Sequence, residues 1–314
     1  MFPPHDPYFH LIKSVAEING CKIELVHNQQ NNIFPTCSAC NALNQKKIEY
    51  FLYGLKVERE NLMNSLSESY VHIDYEKRFL RTAYMLLYFP FYIEPIYYVM
   101  YPHIKELVPL NDSEIKVCFI GGGPSPELLG VGKAVSTIDY IKKINCSVLD
   151  LVKHWGTERK YCTQRMLKED YFPNGECIIK HQDFDLWSKI SNLPNFIKEA
   201  NIIISQNCLN DCPQGRESTV FDNFLLIWDN MKVNSSLILL DLNYPNIFSL
   251  LSNIKEFILK KKGHVLQDLM KREIIRNNSN AADFSFKKCN HIEELLGKSK
   301  PHVKFYSLIL RKIS

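Results

Sequence analysis

The apolar run Val117-Cys118-Phe119-Ile120 passes directly into Gly121-Gly122-Gly123-Pro124-Ser125-Pro126-Glu127-Leu128-Leu129. Glycine reaches backbone angles closed to other residues and lets the main chain approach a ligand, so this run marks a bend suited to close contact. Ser125 is placed to accept an amide hydrogen bond as N-cap, and Pro126 suits the first position of a helix. That helix N-terminus then faces whatever lies over the bend, an arrangement that serves nucleotide-type ligands. A dinucleotide fingerprint, Gly-x-Gly-x-x-Gly, needs its last glycine so that helix and strand pack closely beside a pyrophosphate. Pro126 stands at that position, which counts against NAD.

Further apolar runs end in chemically useful groups. The run 145–152 carries Asp150 near its carboxyl end, where an acid in a Rossmann-like sheet accepts hydrogen bonds from ribose hydroxyls. The run 177–184 ends with Asp183 beside Phe184, and the buried run after Asn201 exits through Gln206, Asn207, Asn210 and Asp211. Ser236–Leu242 reads as a fifth strand, 246–261 as an amphipathic helix with a basic end, and His264–Ile275 and 304–311 as terminal strands joined by a polar loop over 276–282. Strands alternating with helices from about residue 115 predict an α/β fold, a mostly parallel sheet with helices on both faces. Ligands bind such sheets outside the carboxyl ends of the strands, where all these groups fall.

On these residues, the stretch from about 115 to 312 resembles a class I S-adenosylmethionine (SAM)-dependent methyltransferase domain. The resemblance implies a Rossmann-like seven-stranded sheet whose last two strands form an antiparallel edge pair. It implies SAM as cofactor, leaving as S-adenosylhomocysteine, with the methionine end along Gly121, Gly122, Gly123, Pro124 and Ser125. Asp150 and Leu151 would then hold the ribose and Asp183 with Phe184 the adenine, while Trp155 closes over either. Gln206 and Asn207 would face the transferring methyl. Gly-Gly-Gly-Pro with Asn-x-Leu-Asn-Asp is also distantly similar to the ribosomal small-subunit methyltransferase-like group, whose members often carry Gly and Glu where this chain has Ser125 and Asp211, so no substrate is inherited from it. The Asp/Asn-Pro-Pro-aromatic motif of base amino methylation and the Pro-Cys of pyrimidine C5 methylation are missing, and no paired-glutamate loop of protein arginine methylation is evident. The acceptor is left open among small molecules, peptides and RNA. Rival readings are a nicotinamide- or flavin-dependent oxidoreductase and a non-catalytic protein that keeps the cofactor fold.

A mainly helical region over 1–110 precedes the cofactor domain of 111–314. The aromatic block from Tyr84 to Tyr101 is interrupted by Pro90, Glu94 and Pro95, well short of the roughly twenty apolar residues a membrane span needs, and reads as two helices meeting at prolines. Tyr84, Tyr88 and Tyr92 share a face if the helix continues, with Arg81 alongside. These four are candidates for a lid over the acceptor, Asn210 for an acceptor contact, and Tyr88 and Asn207 for catalysis. Cys21, His27, Cys37 and Cys40 include one Cys-x-x-Cys pair, too little for zinc without a second, so free thiols are expected and no metal. Ten scattered cysteines and a polar 1–8 segment without an apolar core predict a reduced cytoplasmic protein without a cleavable signal. A net charge of +4 permits RNA contact without requiring it.

Overall fold

A computed structural model describes residues 11, 14, 15, 17, 18, 23–27, 33–37, 55–62, 73–110, 112–275 and 302–313. An antiparallel pair, β1 (Ile23–His27) and β2 (Ile33–Cys37), lies in the N-terminal region expected to be mainly helical. Residues 55–62 are helical, followed by α1 (Arg78–Leu87), a 3-10 turn (Phe89–Tyr92), α2 (Glu94–Met100) and α3 (Ile104–Leu107). The proline interruption acts as expected: Pro90 and Pro95 each sit in the first turn of the piece that follows a break.

The main sheet contains β3 (Glu114–Ile120), β4 (Lys143–Leu149), β5 (Glu176–Gln182), β6 (Ile202–Gln206), β7 (Ser236–Leu242), β8 (His264–Ile275) and β9 (His302–Arg311), in the order β5-β4-β3-β6-β7-β9-β8. Strands β3 to β7 are parallel, and β9 runs antiparallel to both β7 and β8. The strand order therefore reverses beside β3, and such a switch point opens a crevice at the carboxyl ends.

Alternation along β3 sorts its side chains into two cores. Ile115, Val117 and Phe119 pack with α1, α2 and α4 (Pro126–Val135), while Cys118 and Ile120 pack with α5 (Asn195–Glu199), α6 (Glu217–Asn230) and α7 (Pro245–Lys260). A helical segment over 153–171, with π-type turns at Arg159–Thr163 and Leu167–Tyr171, joins the first face. The N-terminal helices thus share one core with the sheet. Among the described residues no helix is long and apolar enough to cross a membrane.

Candidate functional site

The glycine bend is held by what surrounds it. Gly121 (φ 67°) and Gly123 (φ 45°) adopt left-handed angles, and a Cβ at 121 would lie 2.4 Å from the Cys208 sulfur. Asp150, from the end of β4, clamps the bend: its two oxygens accept from the Gly123 N–H at 2.7 Å and the Val152 N–H at 2.7 Å. The 153–171 segment reaches in from the other side, Arg159 donating to the Gly123 carbonyl and Thr163 to the Pro124 carbonyl. π-type turns re-aim side chains relative to a regular helix, which suits this reach. Ser125 corrects its expected role. It takes φ 62°, makes no side-chain cap, and its buried hydroxyl has no partner.

A cavity of about 240 Å³ lies over this bend, at the carboxyl ends of β3, β4 and β6. Its floor is Gly121, Gly122, Gly123 and Pro124; Asp150, Leu151, Trp155 and Phe184 lie on one side, and Gln206, Asn207 and Asn210 on the other. Tyr84, Tyr88 and Tyr92 form a wall, their rings following one another at 5.8 and 6.4 Å across the helix break, and Tyr84 stands 5.4 Å from Trp155. Asn207 carries φ 52°, a left-handed conformation that asparagine tolerates and that clusters at functional sites. At about 240 Å³ the space lies just below the roughly 300–1,000 Å³ of ordinary ligand pockets, and the tyrosine wall bounds it.

Three sequence candidates point elsewhere. Asp183 is largely exposed and pairs with Lys153 at 2.8 Å, leaving Phe184 alone of that couple at the cavity. Arg81 is buried in an ion pair with Glu158 at 2.9 Å and donates to the Tyr75 and Glu76 carbonyls, so it fastens α1 to the 153–171 segment instead of facing a ligand. Ser125 lies beneath the bend. Asp211, named at the same strand exit, lines the cavity as well, and the cavity also gains Tyr75, Glu127, Cys208, Leu186 and Trp187. Glu127 sits in the first turn of α4, and the fold buries it at the cavity. Cys21 and Cys40 lie outside the described residues, and the backbone pairs His27 with Ile33 and Cys37 with Ile23, at opposite ends of the hairpin ladder.

The charge of the cavity is one-sided. Glu127, Asp150 and Asp211 line it, Asp241 stands behind at the end of β7, and among the described lining residues there is no lysine, arginine or histidine. Burial pushes Glu127 and Asp211 up to about 8 and Asp241 up to about 7, the neighbouring carboxylates adding to the effect on Asp211. Burial also raises Asp150, while its two backbone hydrogen bonds and Arg159 oppose the rise. On Tyr88 burial dominates and Arg59 opposes, leaving the phenol at about 12.

Glu127 ties this charge to stability. An unfolded glutamate ionises near 4.5 and the folded one near 8, so between those values the folded state keeps a proton the unfolded state has lost. Its stabilising contribution is full below pH 4.5 and is lost as pH rises through 8. The melting temperature is expected to fall between pH 5 and 8, and to fall less steeply in Glu127→Gln. Parallel curves for the two proteins would mean that Glu127 is ionised in the fold.

No family model matches the chain, and no curated protein does. Among solved structures it is similar to a candidate class I SAM-dependent methyltransferase of Listeria monocytogenes, with 14% identity over 86% of this chain and 89% of that one and a TM-score of 0.42. A SAM-dependent methyltransferase of Clostridium acetobutylicum gives 9% identity over 71% and 92%, with a TM-score of 0.40. The precorrin-6y C5,15-methyltransferase of Geobacter metallireducens gives 10% over 67% and 85%, at 0.38.

Proposed function

We propose that the protein is a methyltransferase that binds SAM over the Gly121–Gly123 bend and passes its methyl group to an acceptor beneath the tyrosine wall. The observation that carries this is the cavity at the strand switch point, lined by three carboxyl groups and, among its described residues, by no cationic side chain. A pyrophosphate would bring two negative charges into that field and would need free amides. Here the Gly123 N–H is already given to Asp150, and Pro126 has none to give. SAM carries a sulfonium and an ammonium, and positive charge beside these carboxyls draws them toward their ionised form, so the pairing is mutually favourable. Orphaned polar atoms fit a ligand as well: Gln206 Oε1 and the Trp187 Nε1–H are buried without partners, and both residues line the cavity.

SAM supplies an electrophilic methyl on a sulfonium centre. The protein's share is to hold, orient and exclude water. Gly121 to Pro124 form the floor for the methionine end, Asp150 and Leu151 lie where the ribose would be gripped, and Phe184, Leu186 and Trp187 offer an apolar seat for the adenine. Asn207 and Gln206 stand at the exit of β6, on the side where the acceptor would meet the methyl. Tyr88 closes the acceptor side as part of the wall and is not charged with proton transfer, since burial holds its phenol at about 12. A rival reading as a non-catalytic binder keeps the same seat and differs only in turnover.

Crystals grown with S-adenosylhomocysteine test the reading. Density is expected over Gly121–Gly123 with the adenine against Phe184. The ligand lodged elsewhere, or the cavity filled by NAD in a parallel soak, overturns it.

A further inference from the structure

We propose, resting on the SAM reading, that the acceptor is an alkylamine that enters as its ammonium ion, and that Asp211 is the general base that takes its proton. Three features of the acceptor side point the same way. Tyr84, Tyr88 and Tyr92 stack at 5.8 and 6.4 Å, and Tyr75 joins Tyr84 edge-on at 5.7 Å. These four tyrosines all line the cavity, and aromatic rings attract a cation through their quadrupoles while bringing no positive charge of their own. Arg59, which acts on Tyr88, is not among the residues lining the cavity.

The polar groups on this side offer acceptors. Gln206 is 5% exposed, its Nε2 is committed to the Tyr92 carbonyl at 2.5 Å, and its Oε1 is buried without a partner. The Tyr92 carbonyl can only accept, so the amide cannot be turned over and the orphan is an acceptor. Asn210 repeats the pattern: its Nδ2 donates to Asp211 at 2.9 Å and its Oδ1 is left alone. Both residues line the cavity, and an N–H donor within reach satisfies such an orphaned oxygen, whereas a carboxylate or phosphate does not.

Asp211 lines the cavity between these groups and keeps some accessible surface there. Burial and the charges of Asp241 and Asp150 push it up to about 8, the range in which a carboxylate becomes an effective base near neutrality. One proton passes from the ammonium to Asp211. The freed lone pair forms a nitrogen–carbon bond to the methyl as the carbon–sulfur bond breaks, its electron pair staying on sulfur, so the positive charge moves from sulfur to nitrogen.

The test starts from binding. The protein saturated with S-adenosylhomocysteine is titrated with choline, with its neutral isostere 3,3-dimethylbutan-1-ol, and with 3,3-dimethylbutanoate. Choline is expected to bind at least tenfold more tightly than the alcohol, with the anion weakest. In Asp211→Asn, an isosteric change, that preference is expected to shrink about tenfold while the affinity for the neutral alcohol holds. Labelled SAM is then given with n-butylamine, n-butanol, butanethiol and butanoate together; label is expected in the amine and to drop at least a hundredfold in Asp211→Asn. Equal binding of cation and alcohol, label in another acceptor, or no label in the amine overturns the proposal. Failure of S-adenosylhomocysteine to bind at the outset would instead remove the donor reading, so the two failures are separable.

Discussion

Asp150→Ala is expected to weaken SAM binding about a hundredfold or more. Asp150 is 8% exposed and its two oxygens bind the Gly123 and Val152 amides at 2.7 Å each. Hydrogen bonds to a charged acceptor contribute about 1.5–3 kcal/mol each, and every 1.4 kcal/mol is a factor of about ten in affinity. Both bonds are internal to the protein, so their loss reaches the ligand through the bend: Gly123 is freed from its left-handed angle, and binding must then re-order the floor of the cavity at a cost of the same order. Asp150→Asn keeps one acceptor and is expected to fall between. Calorimetric titration checks the order wild type, Asn, Ala; equal affinities would show that the bend holds its shape without the carboxylate.

Gly130→Val is expected to lower the melting temperature by about 5–10 °C. A Cβ at 130 would lie 2.4 Å from both the Ile93 carbonyl oxygen and Ile96 Cγ2, and 3.2 Å from the Tyr97 amide nitrogen. Two of these contacts are backbone, so relief requires α4 and α2 to separate. Overpacking of this kind costs about 1–3 kcal/mol or more, and about 2–4 °C accompanies each kcal/mol in a domain of roughly 200 residues. The same displacement moves Tyr92, one residue before Ile93, so acceptor-side binding is expected to suffer beyond the loss of stability. Gly132→Ala is the control: its Cβ meets the end of a flexible side chain, Leu167 Cδ1, which can swing aside, so a shift of about 2 °C or less is expected. Equal losses at both positions would mean that the approach of the two helices is not what Gly130 serves.

The sheet was legible because its signal is strong and local. Runs such as Val117–Ile120 and Ile202–Ile204 are apolar on both faces, and only a buried parallel strand asks for that. The glycine bend, Asp150, Phe184, Gln206 and Asn207 followed from position at strand ends, and the Tyr84-Tyr88-Tyr92 wall from helical spacing that survives the proline break. Side-chain direction was less legible. Asp183 and Phe184 are neighbours in sequence, yet one faces solvent and Lys153 while the other faces the cavity. Arg81 has a polar type and the right spacing, but Glu158, 77 residues away, claims it. The place of Asp211 at a strand exit was legible but its burial was not, and Glu127 became prominent only through burial, which no residue type reveals. Tyr75 lies outside the helix whose periodicity exposed its neighbours.

Calorimetric titration of the purified protein with SAM, S-adenosylhomocysteine and NAD tests the central claim most directly, since the three differ in the charge they bring to one cavity lined by carboxyl groups and, among its described residues, by no cationic side chain. SAM and its product are expected to bind one to one, with affinity collapsing in Asp150→Ala, and NAD is expected to give no heat. Binding of NAD that Asp150→Ala abolishes, together with silence toward SAM, would contradict it.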